Sequence, residues 1–300
     1  MKYLYRVREQ IGYKRAYSYG LTGAGIGIGV LDSGIYSHMD LAGRLVIFRD
    51  FINGKKENYD DFGHGTHICG IIAGSGRASK GRYQGLAPKC RLYVGKVLDE
   101  KGNGTLMEMI RGMEWLLSIA QQENIRLINI SISSVFFQNK YNETRLLELF
   151  RMAYERGILV IVAAGNKGPK ASTISRLGDT MHTICVGCHD GIYYAKNPSS
   201  CEKHSGQGPG ERVYLKPDLV APGTNIVSCK NQQAQYTTKS GTSMAAPIVT
   251  ASLALLLEYK PGYSVYDMKR KLLHSLDDLG ESYLKQGFGM VNIDKLLDNC

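Results

Sequence analysis

The sequence predicts a single-domain α/β fold, with a mostly parallel sheet covered by helices on both faces. Two observations carry this. Short β-branched runs alternate with helix-length amphipathic segments along the 300-residue chain, and that alternation implies right-handed crossovers between parallel strands. Apolar residues make up 43% of the chain and charged residues 21%, which supplies a real core and excludes a disordered polypeptide. No repeat or linker-like stretch divides it.

The elements follow in order. "IGIGVLD" (26–32), "LYVGKVL" (92–98), "LINISI" (127–132), "ILVIVAA" (158–164) and "TICVG" (183–187) read as buried strands. Between them, "TLMEMIRGMEWLLSIAQQ" (105–122) places Leu106, Met109, Ile110, Met113, Leu116 and Leu117 on one helical face. "NETRLLELFRMAYERG" (142–157) does the same with Leu146, Leu149, Phe150 and Ala153, and Gly157 caps it. A long apolar helix follows "GTSMAAP" (241–247), with Pro247 expected in its first turn. "GAGIGIG" (23–29) precedes its strand and never gives G-x-G-x-x-G, so it is no dinucleotide fingerprint.

Composition narrows the partners. The net charge is +10, but the basic residues are scattered apart from Lys2, Arg6, Arg8, Lys14 and Arg15 near the start and Arg77, Lys80 and Arg82 in a Gly/Ser loop. Without an aromatic-interleaved basic motif this reads as a solvated surface, not a nucleic-acid site. The longest apolar run, around "LALLL", is too short to span a bilayer, so no membrane partner is expected. Seven cysteines at spacings that form no framework, and a charged N-terminus without an apolar signal core, point to a reducing, cytoplasmic compartment.

In a parallel sheet the site lies at the carboxyl ends of the strands. Asp32 ends the first strand in "GVLDSG", where an aspartate can also be a mere turn cap. His64 sits between two glycines in "DFGHGTHICGIIAG" (61–74), ahead of an apolar helix. Ser243 opens the helix at "GTSMAAP", and "AAGN" (163–166) delivers Asn166 from a strand end into a turn. Each piece alone is ambiguous. Together they supply acyl transfer: Ser243 as nucleophile, His64 as general base, Asp32 to orient the imidazole, and the Asn166 amide with the Ser243 N–H for the oxyanion.

These blocks, with "KPDLVAPG" (216–223), resemble the signature blocks of the subtilisin-like serine proteases, in the same order. The resemblance runs from about residue 26 to residue 249. It implies a seven-stranded parallel sheet, serine endopeptidase activity and a peptide or protein substrate bound as an extended strand. By that likeness Lys101, Gly102, Asn103 and Gly104 would flank the peptide on one side, and Ser131, Ile132, Ser133 and Ser134 on the other. Leu106 would line the P4 pocket. Ala163, Ala164 and Gly165 would wall the P1 pocket, with Ser175 at its floor and Lys167 at its rim. Ser133, Ser134 and Ser175 stand where the family commonly has glycine, so a narrowed P1 pocket with buried hydroxyls is expected.

The family's calcium-binding insertion reads "GSGRASKGRYQG" here, without carboxylates, so no metal site is assigned and no cofactor is expected for the chemistry. Residues 1–20 leave room for a short inhibitory or capping segment ahead of a peptidase domain over 21–300, which looks like the family's intracellular branch. "CVGCH" (185–189) matches a haem-attachment pattern, but on a strand its two cysteines face opposite ways and read as core residues. His64, His67 and Cys69 lack a fourth zinc ligand, leaving His67 as a structural histidine. Two other readings stay open: a protease that matures one particular proenzyme, and a pseudoprotease scaffold.

Overall fold

The computed structural model describes residues 3–132, 135–136, 140–191, 200–212 and 214–298. Two short helices, α1 (Tyr3–Gln10) and α2 (Lys14–Ser18), open the chain and lead to β1 (Gly27–Asp32), β2 (Leu45–Asp50), α3 (His64–Ala73) and β3 (Arg91–Lys96). Next come β4 (Gly104–Thr105), α4 (Leu106–Ile119), β5 (Ile125–Ile130), β6 (Val135–Phe136), α5 (Lys140–Glu155), β7 (Leu159–Ala163) and β8 (Thr183–Cys188). The last third holds β9 (Leu219–Ala221), β10 (Ile226–Cys229), β11 (Tyr236–Lys239), α6 (Thr242–Tyr259), α7 (Val265–Leu273), β12 (Leu276–Asp277), α8 (Tyr283–Gln286), β13 (Met290–Val291) and α9 (Ile293–Leu296).

The main sheet has the order β12-β13-β9-β8-β7-β5-β1-β3-β2. Seven strands, from β9 to β2, are mutually parallel as expected. The C-terminal segment adds β13, parallel to β9, and β12, antiparallel to β13. Those two strands are two residues each, too short to leave a periodic signal. β1 is buried along its whole length. Val30 joins the core layer of Ile68, Ile72, Val249 and Leu253 from α3 and α6. Its neighbour Leu31 points the other way, into the layer of Met109, Leu116, Leu149 and Phe150 from α4 and α5. A Cβ on Gly29 would meet Leu116 at 2.7 Å, so only glycine lets α4 lie this close to the sheet.

The strands predicted at 26–32, 92–98, 127–132, 158–164 and 183–187 correspond to β1, β3, β5, β7 and β8 within two residues at either end. α6 is 18 apolar-rich residues and long enough to cross a membrane, but it is buried within the fold, where its side chains complete the core. Pro247 falls in its second turn, not its first, because the helix begins at Thr242. Pro247 therefore donates nothing to the Ser243 carbonyl.

The segment ahead of β1 joins the same core: Val7, Ile11 and Ala16 are fully buried beside α3 and α6 residues. Arg6 donates to the Thr224 carbonyl, Gln10 to the Asp190 carbonyl, Arg8 to the Gln84 and Gly85 carbonyls, and the Arg15 amide to Asp294.

Candidate active site

β1 ends at Asp32, in the middle of the sheet between β3 and β5. The Asp32 carboxylate is fully buried. Its Oδ1 accepts from the Ser33 amide at 2.7 Å and from His64 Nδ1 at 2.8 Å. An ionised carboxylate has no proton to give, so Nδ1 is the donor and the lone pair lies on Nε2. Asp32 Oδ2 has no protein partner among the described residues.

His64 is the first residue of α3, placed there by the left-handed Gly63 at φ +83°. Asp60 builds the turn ahead of it, accepting from the Gly63 amide, the Thr66 amide and the Thr66 hydroxyl at 2.6–2.8 Å. Ser33 ties the two strand exits together: its hydroxyl donates to Asp60 at 2.8 Å and accepts from the Gly65 amide at 2.9 Å. A Cβ on Gly65 would sit 2.1 Å from the Gly34 carbonyl, so this crossing of the Asp32 and His64 segments requires glycine.

Ser243 is the second residue of α6, which packs against α3. Gly241 precedes it at φ +136°, with its amide donating to the Gly223 carbonyl at 3.0 Å. Asn166 follows β7 and is exposed. Its side-chain oxygen accepts from the Thr242 amide at 3.1 Å and the Thr242 hydroxyl at 3.2 Å. A backbone N–H needs an acceptor, which fixes the amide's orientation and leaves Nδ2 with no hydrogen bond among the described residues. The Ser243 hydroxyl and His64 make no hydrogen bond to each other among the described residues.

The two segments expected to flank a peptide lead into β4 and β6, which pair in parallel, Gly104 with Val135 and Thr105 with Phe136. Asp99 shapes the first segment, accepting from the Lys101 and Asn103 amides at 2.9 and 2.8 Å. Lys101 and Asn103 are exposed, Gly102 is half-buried, and Gly104, Ser131 and Ile132 are buried. Leu106 is 2% exposed and shares a core cluster with Leu98 and Ile132. Ser133 and Ser134 lie outside the described residues. Ala163, Ala164 and Gly165 are buried at the end of β7, and Lys167 is exposed beyond them. The Ser175 hydroxyl donates to the Ala163 carbonyl at 2.8 Å and its amide to the Ala164 carbonyl. Ser175 is half-buried, not buried as expected, and its hydroxyl already has a partner, so it carries no unmet desolvation penalty.

Sequence reasoning missed several residues around the imidazole. Phe62 is 40% exposed, with its ring 6.2 Å from that of His64. Lys239 reaches over the same Phe62 ring at 5.8 Å. Phe62 lies within the quoted His64 block, where its presence was legible, but Lys239 is brought there only by the fold. The cysteines also differ from expectation. Cys185 and Cys188 face opposite core layers as predicted, but Cys188 forms a disulfide with Cys201, thirteen residues away. Among the described residues, two groups carry metal-ligating atoms close together. In one, His38 and Asp40 are already spent on Gln235, Ala78 and Tyr236. In the other, both sulfurs are in the disulfide.

A family model described as the subtilase family matches residues 23–291. The chain belongs to the subtilase family. It is 38% identical over 275 residues to serine protease AprX of Bacillus subtilis (strain 168), covering 86% of this chain and 62% of that protein. It is 32% identical over 278 residues to subtilisin DY of Bacillus licheniformis, covering 92% of each. A solved cold-adapted subtilisin-like serine proteinase superposes with a TM-score of 0.70 at 26% identity, over 91% of this chain and 90% of the other. The family and these relatives make this subtilase a serine-type endopeptidase.

His67 is the structural histidine expected. It is fully buried, with Nε2 within 3.1 Å of the Ile226 carbonyl and 3.2 Å of that of Thr237, and Nδ1 has no partner among the described residues. Burial, then the neighbouring His64, lowers its pKa from 6.5 to about 3. The unfolded chain therefore binds this proton where the folded chain does not, and stability contributed above pH 6.5 is lost as pH falls toward 3. One such group changes stability by about 1.4 kcal/mol per pH unit in that window. Urea unfolding of a protease-dead background at stepped pH is expected to show this slope, and His67→Gln is expected to flatten it. An identical slope in both proteins would mean that His67 protonates freely when folded.

Proposed function

We propose that this subtilase cleaves peptide bonds through an acyl-enzyme formed on Ser243. Ser243 Oγ attacks the peptide carbonyl carbon as His64 Nε2 takes its proton. The tetrahedral oxyanion accepts from the Ser243 N–H and from Asn166 Nδ2. Its collapse breaks the C–N bond, and the amine leaves with the proton from Nε2. Water then repeats the cycle and releases the acid. Asp32 holds the imidazole's tautomer and stabilises its cation throughout. The chemistry needs no cofactor. The segment before β1, hydrogen-bonded to Thr224, Asp190 and Asp294, serves as a cap.

The observation that carries this reading is the 2.8 Å bond from His64 Nδ1 to a fully buried Asp32, which aims the basic nitrogen away from the carboxylate. An aryl sulfonyl fluoride is expected to inactivate the protein with one label per chain. Peptide mapping by mass spectrometry should place that label on Ser243. A label elsewhere, with hydrolysis retained, would overturn the assignment.

A further inference from the structure

Lys96, the last residue of β3, is 0% exposed and plays no part in the chemistry above. Its ammonium donates to the Ser33 carbonyl at 2.8 Å, to Asp61 Oδ1 at 2.6 Å and to the Leu98 carbonyl at 2.7 Å. Three donors meet three acceptors, and the Tyr59 ring lies 4.9 Å away.

Each acceptor belongs to a different part of the site. Ser33 follows Asp32, gives its amide to that carboxylate and accepts from the amide of Gly65. Asp61 lies three residues before His64, in the turn that delivers the imidazole. Leu98 leads into Asp99, whose carboxylate shapes the segment holding Lys101 and Asn103. A buried ammonium is a costly way to fill space, and an apolar side chain of similar length fills it without the desolvation. The ammonium's three directed bonds are what an apolar residue cannot supply.

We infer that Lys96 is a positioning residue for the proposed catalytic pair: it fixes the Asp32 and His64 segments, and the substrate edge beside them, in one geometry. The inference rests on the acyl-transfer reading. It acts on the reaction through Asp32 and His64 and not by touching substrate.

Lys96→Met removes the three bonds while keeping side-chain volume. Misplacing a reacting group by about an ångström costs on the order of 10²-fold in rate. Lys96→Met is expected to lower kcat on a tetrapeptide anilide about 10–100-fold, with KM changed less than about twofold. Asp61 is one-third exposed, so Asp61→Asn is expected to fold. It removes one ion pair and is expected to lower kcat by about 3–10-fold. The readout that separates positioning from plain stability is the low-field proton resonance of His64 Nδ1–H, recorded without substrate. It should shift upfield and broaden in both variants while their melting temperatures stay near that of the parent. An unchanged resonance and unchanged kcat in a folded variant would overturn the inference. If Lys96→Met fails to fold, Asp61→Asn decides. A parent protein that shows the resonance but hydrolyses nothing would sink the acyl-transfer reading instead, and the resonance would still test Lys96.

Discussion

Ser243→Ala is expected to lower kcat for peptide hydrolysis by about 10⁶-fold, roughly 8 kcal/mol of transition-state stabilisation. The expectation follows from placement. Ser243 is the second residue of α6 and is 9% exposed, and its small neighbours Ala245 and Ala246 are fully buried in the core. Alanine keeps that packing and removes only the hydroxyl, so the fold and the melting temperature should persist. Residual hydrolysis of about 10³–10⁴ over water should survive, because the Ser243 N–H and Asn166 would still receive the oxyanion. Stopped assays on an anilide substrate, with sulfonyl fluoride labelling as a control, read both quantities. Activity within tenfold of the parent would remove Ser243 from the mechanism.

Asn166→Ala is expected to lower kcat by about 10²–10³-fold with KM little changed. The split between the two constants follows from geometry. The side-chain oxygen is anchored on Thr242, one residue before Ser243, so Nδ2 is held in place before the proposed oxyanion would form. A donor fixed in this way stabilises the charged transition state more than the neutral carbonyl. Alanine also takes the acceptor from the Thr242 amide, but the Thr242 hydroxyl still receives the Gly165 amide at 3.2 Å, so the turn should remain. A large rise in KM with kcat intact would make Asn166 a ground-state binding residue.

Much of the fold was legible because its signals are local. β1, β7 and β8 are inner strands buried along their whole length, and β5 is buried except at Arg126, so each reads as a mostly apolar run. β2 is an edge strand, half-exposed along most of its length, and its weaker pattern gave no comparable signal. β9 is three residues inside "KPDLVAPG", and β12 and β13 are two residues each. Periodicity needs more residues than these strands contain.

The site divides along the same line. Asp32, His64, Asn166 and Ser243 were legible as candidates, because each stands beside glycines or small residues at or just past an element's end and because their blocks follow a known family's order. What those blocks could not specify is the set of partners that aims them. The lysine in "LYVGKVL" is one polar residue in a strand pattern, and its acceptors stand 63, 35 and 2 positions away. Thr242 orients Asn166 across 76 positions, and Cys201 reaches Cys188 across 13. The sequence by itself determined which residues are candidates for the chemistry and on which kind of element each sits, since propensity and turn requirements act between near neighbours. Only the tertiary structure decided which donor meets which acceptor. A buried hydrogen bond is satisfied by whatever group the packing of sheet and helices brings within about 3 Å, and that proximity leaves no trace in local sequence.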